Sequence, residues 1–277
     1  MQYSGIIQKM TAQLTEVVQY HLPIGDKQIA INELIGQSIS LEFNNIINCI
    51  ACGRKTNKSF NQGYCYPCFQ SLAQCDSCIV KPELCHYAEG TCREPQWGEE
   101  HCFKEHYVYL ANSSGIKVGI TRGTQIPTRW IDQGATQALP IYMVKDRLTS
   151  GLVEVIIKSH VNDKTHWQKM LKGIPDPQDL ISKRNELVET CQDEINTLID
   201  KVGAKAIQKL PEHRPININY PVETYPVKVK SLNFDKTPNI TGTLQGIKGQ
   251  YLILDSGVLN IRKFGGYHIT MTTEQSK

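Results

Sequence analysis

The chain alternates short apolar and polar runs between residues 5 and 43, as in the stretch SISLEF at residues 38–43. Turn-forming residues separate these runs, for example in the stretch PIGD at residues 23–26. Alternation with a period of two places apolar side chains on one face of a β-strand and polar side chains on the other. The pattern therefore predicts an N-terminal β module over residues 1–44.

A β-hairpin is predicted in the middle of the chain. Two strand-like stretches, YVYL at residues 107–110 and KVGIT at residues 117–121, flank the turn-forming stretch NSSG at residues 112–115. Apolar and β-branched runs on either side of such a turn are typical of a hairpin.

Helical patterns follow the hairpin. Pro127 precedes a predicted helix that carries Trp130 on its inner face, because proline is favoured in the first turn of a helix. Apolar residues at helical spacing predict a second helix between Leu152 and His160. The hairpin and these helices together predict an α/β domain over residues 106–175.

A further helical segment is predicted over residues 176–210. Apolar residues recur at helical spacing within it, and Cys191 lies on the apolar stripe. A thiol in that position indicates core packing rather than chemistry.

The C-terminal part returns to a β pattern. Short apolar runs occupy residues 226 to 271, and a hairpin turn is predicted at residues 255–257. They predict a C-terminal β module over residues 211–277, either a small barrel or a sheet. The complete prediction is a multi-module α+β fold, and periodicity leaves open whether the N- and C-terminal β segments pair.

Composition limits the class of protein without defining its partner. The chain has 277 residues, which is enough for two or three modules. No apolar run approaches the roughly 20 residues that a membrane-spanning helix needs, so we expect no membrane partner. A net charge of +3 and a pI of about 8.2 are mildly basic and compatible with many partners.

Cysteine supplies the strongest chemical signal. Nine of the ten cysteines lie between Cys49 and Cys102. The first four form two CxxC motifs and are Cys49, Cys52, Cys65 and Cys68. Two such turns brought together offer the four sulfur donors that tetrahedral zinc prefers. This pattern predicts a structural zinc ion in a cysteine-rich region over residues 45–105, which is short of large aliphatic residues and therefore depends on metal for its fold.

A second structural zinc ion is predicted in the same region. Its favoured ligands are Cys75, Cys78, Cys85 and Cys92. The ligand set stays open, because the alternatives His86, His101, Cys102 and His106 lie close by in the sequence. Cys102 is equally well explained as a buried thiol.

The start of the chain bears on the redox state of these thiols. It reads MQYSGIIQKMTAQLTEVV, without the basic start, apolar core and small-residue cleavage site of a secretory signal. We therefore expect a cytoplasmic protein with reduced thiols. In that compartment paired CxxC motifs bind metal more often than they form disulfides.

An ordered series of residues in the middle segment resembles the GIY-YIG endonuclease family. The series is Tyr109, the stretch KVGIT at residues 117–121, Arg129 and Glu154, and the resemblance covers residues 106–171. It implies that Tyr109 activates water, that Arg129 binds the phosphate, and that Glu154 holds magnesium or manganese. It thus implies metal-dependent cleavage of phosphodiesters.

The chain departs from the nuclease pattern at one position. Val118 stands where the family has a second tyrosine, and an apolar side chain cannot relay a proton. His160 is a candidate for a proton role, although a lone histidine on a helix is more often structural. Tyr107 shares a strand face with Tyr109 by the period of two.

Each of these residues also has a structural explanation. Tyr109 can be an ordinary strand aromatic, Arg129 can form a surface ion pair, and Glu154 can be a solvated helix residue. Trp130 is better explained as a core residue than as a base-stacking platform, and Gln133 could contact a base edge.

Most of the chain also resembles a bacterial family labelled domain of unknown function 2797. The matching stretches are GYCYPCF at 63–69, PELCH at 82–86, GTCREPQWGEEHC at 90–102, VGITR at 118–122, TRWIDQGA at 128–135 and GIKGQYLILDSGVLNIRK at 246–263. The family label implies no activity.

These patterns favour a zinc-binding protein that interacts with nucleic acid, with RNA favoured over DNA because zinc knuckles and small β-barrels commonly contact single strands. The alternative is a non-catalytic protein that docks on RNA or a ribosome through a degraded nuclease fold. A third hypothesis is an enzyme that modifies RNA through a surplus cysteine such as Cys92 or Cys102. Composition does not distinguish the three.

Overall fold

The computed structural model describes residues 1–161 and 164–273. Residues 162 and 163, within the stretch that resembles the nuclease, lie outside the described residues. The strands are β1 (Gln2–Ile6), β2 (Thr11–Gln13), β3 (Gln19–Ile24), β4 (Lys27–Ala30), β5 (Ser38–Asn48), β6 (Lys55–Thr56), β7 (His106–Asn112), β8 (Ile116–Arg122), β9 (Gln137–Val144), β10 (Ile207–Lys209), β11 (Ile216–Asn217), β12 (Asn239–Lys248), β13 (Tyr251–Leu254), β14 (Gly257–Asn260) and β15 (Tyr267–Thr273). The helices are α1 (Tyr66–Ser71), α2 (Pro95–His101), α3 (Thr128–Asp132), α4 (Arg147–Ile157), α5 (Trp167–Leu171), α6 (Leu180–Thr190) and α7 (Gln192–Val202).

The mixture of several sheets with short helices confirms the predicted α+β class. The chain forms two compact units. The terminal unit comprises Met1–Gln70, Leu171–Gly173 and Ile218–Lys277, and the central unit comprises Ser71–Met170 and Ile174–Asn217. The cysteine-rich region is therefore divided between the two units. Its two CxxC motifs, at residues 49–52 and 65–68, lie in the terminal unit, and its later cysteines lie in the central unit.

Both ends of the chain contribute strands to one sheet of the terminal unit. This antiparallel sheet has the order β1-β15-β5-β12-β13-β14, and β6 pairs with β5. The sequence left the pairing of the two terminal β segments open, and the structure shows that they pair. Ile39, Leu41 and Phe43 alternate into the core from β5, as the period of two predicts.

A second, three-stranded sheet in the same unit has the order β2-β3-β4. Its middle strand buries Tyr20, Leu22 and Ile24, whose spacing of two residues puts them on one face. The terminal unit thus buries its apolar residues against two antiparallel sheets.

The central unit is built on a sheet with the order β10-β9-β7-β8, in which β11 also pairs with β9. The predicted hairpin is present as β7 and β8, with Tyr109 opposite Gly119. The period of two divides β7 between two faces. Val108 and Leu110 belong to the apolar core, and Tyr107 and Tyr109 project from the opposite face.

Helices cover the core face of this sheet. Val153 and Ile157 of α4 lie in the same buried cluster as Val108, and so does Cys191. The single helical segment expected from the sequence is two helices, α6 and α7, which meet at Cys191. The burial of Cys191 in this cluster confirms the core interpretation of that thiol. Among the described residues, no helix is long and apolar enough to cross a membrane.

Candidate metal centre and phosphate-facing site

The first four cysteines meet at one point of the terminal unit. The sulfur atoms of Cys49, Cys52, Cys65 and Cys68 all lie within 4.8 Å of one another, and those of Cys52 and Cys65 are 3.7 Å apart. Tetrahedral zinc with Zn–S bonds of about 2.3 Å brings its sulfurs to roughly 3.8 Å from one another. The geometry is therefore compatible with a zinc site.

Local backbone structure positions these four thiols. The first CxxC motif follows β5 as a tight turn in which the Gly53 amide donates to the Cys49 carbonyl at 2.9 Å. Gly53 has a φ of 71°, a backbone conformation that glycine adopts without strain. The second CxxC motif starts α1, where the Phe69 amide donates to the Cys65 carbonyl at 2.9 Å. The turn of the first CxxC motif and the N-terminal end of α1 thus bring their thiols to the same point.

The electrostatics of the quartet favour a bound cation. Burial raises the pKa of Cys49. Hydrogen bonds from backbone amides of both motifs outweigh burial, and the pKa of Cys49 falls to about 6. Burial and the three neighbouring thiols raise the pKa of Cys68 to about 12. Because negative sulfurs this close repel one another, all four can ionise together only with a cation among them.

The later cysteines form a different arrangement in the central unit. The side chains of Cys78, Cys85, Cys92 and Cys102 line one cavity of about 30 Å³. Cys75, which the sequence analysis favoured as a ligand, is buried outside this lining. Cys102, which was an alternative ligand on the sequence pattern, lines the cavity.

Asp76 and His86 lie close to Cys78, but each already has partners. The Asp76 carboxylate accepts from Arg93 Nε at 2.9 Å and lies 3.3 Å from His86 Nε2. The other nitrogen of His86 is 2.7 Å from the Thr91 hydroxyl. The donor atoms of Asp76, Cys78 and His86 lie within 4.8 Å of one another, so this group could hold a metal ion. His86 therefore stays an alternative ligand for a second ion.

Burial disfavours the ionised form of two thiols at this cavity. Burial raises the pKa of Cys78 to about 11, and it raises the pKa of Cys102 above its ordinary value. A protonated thiol is a weak nucleophile. This observation counts against an RNA-modifying enzyme that uses Cys102.

Two of the residues implied by the nuclease resemblance, Arg129 and Glu154, act electrostatically on the hydroxyl group of the third, Tyr109. Tyr109 is fully buried, and its hydroxyl donates to Gln133 Oε1 at 2.9 Å. Burial raises the pKa of Tyr109 to about 12, while Arg129 opposes the shift and Glu154 adds to it. The guanidinium and the carboxylate are therefore within electrostatic range of the phenol.

The backbone opposite Tyr109 makes room for its ring. A Cβ atom at Gly119 would lie 2.7 Å from Tyr109 Cζ and from its hydroxyl oxygen, which is closer than packed atoms approach. Trp130 contacts the same ring edge-to-face with centroids 5.9 Å apart. Trp130 is fully buried, so the structure confirms its core interpretation over base stacking.

The remaining candidates lie in different surroundings. Val118 is buried in the apolar core, on the face opposite Tyr109. His160 is exposed and lies within 4.8 Å of Cys191 and Glu194. Tyr107 is half-buried and packs near Gly123, where a Cβ would come 3.0 Å from its ring.

Arg147 is a further charged residue whose electrostatic effects extend to both sites. Its charge acts on the thiols of Cys78 and Cys102, and the charges of Arg122 and Arg129 act on it. Three guanidinium groups therefore share one region of the central unit. The sequence signal for this grouping is that Arg122, Arg129 and Arg147 fall within one segment of 26 residues.

Together, the fold and the gathered thiols define an α+β protein with a cysteine site compatible with zinc. The profile of the family described as "Protein of unknown function (DUF2797)" matches residues 36–269. The match covers well over half of the chain, so this protein belongs to that family and the resemblance seen in the sequence is confirmed. No curated protein and no solved structure matches the chain. The resemblance to GIY-YIG endonucleases stays a prediction.

Proposed function

We propose that this chain is a cytoplasmic, zinc-binding protein that interacts with nucleic acid, with RNA favoured over DNA. The observation that carries the proposal is that the charges of Arg129 and Glu154 both act on the buried hydroxyl of Tyr109, which donates to Gln133. Arg122 and Arg147 add positive charge to the same region, which suits a phosphate backbone.

The same site supports cleavage of phosphodiesters. A guanidinium forks onto two phosphate oxygens, so Arg129 would bind and orient the scissile phosphate. Glu154 would hold magnesium or manganese, which supplies charge stabilisation at the leaving oxygen. Tyr109 keeps its proton at neutral pH because burial raises its pKa to about 12. Its role is therefore to position the nucleophile by hydrogen bonding rather than to act as a phenolate base.

Nuclease activity is tested with the full chain and labelled single-stranded RNA, structured RNA and DNA in the presence of magnesium or manganese. We expect cleavage that Glu154→Gln reduces by at least about 100-fold, since it removes the metal-binding charge. Glu186→Gln is the matched control, because Glu186 is an exposed carboxylate on α6 whose partner is Lys183 at 2.7 Å. Substrate left intact by the metal-replete wild type would contradict the enzyme proposal.

A non-catalytic docking protein is the second candidate. The complete burial of Tyr109 and the presence of Val118 in place of the second tyrosine favour it. Docking on RNA predicts binding that weakens with salt, that survives Glu154→Gln and that Arg129→Gln weakens. Equal affinity of wild type and Arg129→Gln for every nucleic acid tested would contradict both candidates.

The zinc assignment is tested by metal analysis of the purified protein. We expect Cys52→Ser to lose one zinc ion per chain, because three sulfurs leave the tetrahedral site incomplete. Cys191→Ser is the control, since that thiol lies in the apolar core of the central unit. Unchanged zinc content in Cys52→Ser would refute the assignment.

A further inference from the structure

The four-cysteine module, residues 49–70, presents an aromatic cluster at its surface. Phe60 lies between two other rings, with centroid distances of 5.4 Å to Tyr66 and 5.7 Å to Phe69. Tyr66 is 51% exposed, and the other two rings are half-buried. Rings that contact one another and stay open to solvent are typical of an interaction surface.

The backbone fixes Phe60 before any ligand binds. The Phe60 amide donates to the Tyr64 carbonyl at 2.8 Å, and the Tyr64 amide donates to the Phe60 carbonyl at 2.9 Å. This tight turn packs against Gly265, where an added Cβ would lie 2.6 Å from the Gln62 carbonyl oxygen. A surface held in this way loses little conformational entropy when it binds a ligand.

The charge of the module suits a polyanion. Residues 43–75 contain no aspartate or glutamate but carry three basic residues, Arg54, Lys55 and Lys58. Arg54 hydrogen-bonds to the Cys52 thiol, so its charge offsets that of the cysteine quartet. The two lysines are exposed, and in the part of the chain that the structure describes neither forms an ion pair with a carboxylate. Both are therefore available to phosphate groups.

Lys58 brings a positive charge and an aromatic face together. Its Nζ lies over the Phe60 ring, at 5.1 Å from the centroid. The bases of an unpaired strand stack on aromatic rings, and the phosphates that join those bases bind nearby cations. In a duplex the faces of the bases already stack on one another, so exposed rings select an unpaired strand.

We propose that Phe60 and Tyr66 form a stacking surface for the bases of a single-stranded nucleic acid, with Lys55 and Lys58 binding its phosphates. This inference rests on the proposed interaction with nucleic acid, and it adds a contact surface in the terminal unit to the candidate site of the central unit. The surface accepts any sequence, because every base has a face that stacks.

The rings are tested by measuring the affinity of the full, metal-replete chain for single-stranded RNA and DNA of about 12 nucleotides and for the corresponding duplexes. We expect Tyr66→Leu to weaken binding of both single strands by at least about fivefold, since it removes one stacking ring. Tyr66→Phe keeps the ring and should keep the affinity. Tyr3→Leu, at a half-buried tyrosine on strand β1 of the same unit, is the control and should bind like the wild type. Zinc content equal to that of the wild type reports that the module of each variant is folded.

The charges are tested without altering the rings. The double variant Lys55→Gln/Lys58→Gln should reduce the slope of log affinity against log salt by about 1.4, because each phosphate contact of a single strand contributes about 0.7. Lys27→Gln/Lys228→Gln removes the same charge from exposed positions elsewhere in the terminal unit and should leave the slope unchanged. Where Tyr66→Leu loses zinc, this comparison alone decides.

The outcomes separate this inference from the proposed function. A wild type that binds no nucleic acid would remove the proposed function and the stacking surface together. Binding that Arg129→Gln weakens, but that folded Tyr66→Leu and the Lys55→Gln/Lys58→Gln variant leave unchanged, would overturn the stacking surface alone. Equal weakening by Tyr66→Phe and Tyr66→Leu, or a preference for duplexes over single strands, would also overturn it.

Discussion

Lys248 is the clearest case in which one residue's environment determines its chemistry. It is fully buried in the terminal unit, where its Nζ donates to the Gly173 carbonyl at 2.8 Å. The same ammonium lies over the rings of Tyr220 and Tyr225, at 5.6 Å and 5.3 Å from their centroids. One carbonyl and two aromatic faces replace its hydration shell only in part, so burial lowers the pKa of Lys248 to about 8.

This lowered pKa predicts a rise in stability with pH. The ordinary lysine pKa is 10.5, so between about pH 8 and 10.5 the unfolded chain binds more protons than the folded chain. We expect the contribution of Lys248 to the free energy of unfolding to increase by about 2 kcal/mol between about pH 7.5 and 9.5. Lys248→Met should remove most of this slope in urea titrations, whereas Lys228→Met, at an exposed position, should retain it. A wild-type slope that survives in Lys248→Met would contradict the prediction.

Gly119 is required by the position of Tyr109. Because an added Cβ would lie 2.7 Å from the phenol, Gly119→Ala should destabilise the protein by about 1–3 kcal/mol through overpacking. The comparison is Gly173→Ala, where a Cβ meets no atom within 4 Å, and the expected change is within about 0.5 kcal/mol. Equal urea midpoints for the two variants would show that the ring of Tyr109 moves aside without cost.

Helix α4 shows how a local signal positions a candidate catalytic group. Asp146 begins it as an N-cap, with its carboxylate accepting from the Thr149 amide at 2.7 Å. Two turns further on, α4 carries Glu154, while Val153 and Ile157 anchor it in the core. The apolar spacing predicted this helix from Leu152, and the structure starts it at Arg147, because the cap rather than the apolar stripe sets the start.

The cap can be tested without altering the site itself. Asp146→Ala should lower the free energy of unfolding by about 1 kcal/mol, because it leaves the first amides of α4 without an acceptor. Asp146→Asn should retain most of the stability, since an amide oxygen also caps. A loss in the asparagine variant as large as in the alanine variant would indicate that charge, rather than capping, is what Asp146 contributes.

The terminal unit depends on pairing between distant parts of the chain. Strand β15 lies between β1 and β5, so residues from both ends complete one sheet. Pairing at such sequence separations is formed late and at high entropic cost. The unit is therefore sensitive to truncation at the C-terminus.

Removing residues 267–277 should abolish folding of the terminal unit, because it deletes β15 and leaves β1 and β5 unpaired along that edge. Removing residues 1–6 deletes only the edge strand β1, so we expect a folded but less stable protein. Solubility and hydrogen exchange of β5 amides distinguish the two truncations. Equal hydrogen-exchange protection of the β5 amides in the two truncated chains would contradict the prediction that the C-terminal truncation is the more damaging.

Features that depend on local spacing could be predicted from the order of residues alone. The period of two identified the hairpin of β7 and β8, the helical period identified α4 and the burial of Cys191, and the CxxC spacing identified the quartet around Cys49. Local spacing suffices in these cases because each pattern fixes which side chains share a face or a turn.

The meeting of distant groups was visible in the folded structure and not in the order of residues. It excluded Cys75 from the second cavity and included Cys102, placed Arg147 beside that cavity, and joined both ends of the chain in one sheet. It also buried Tyr109 completely, which raises the pKa of its hydroxyl to about 12. These outcomes depend on packing between segments far apart in sequence, and the spacing of residues along the chain carries no information about such contacts.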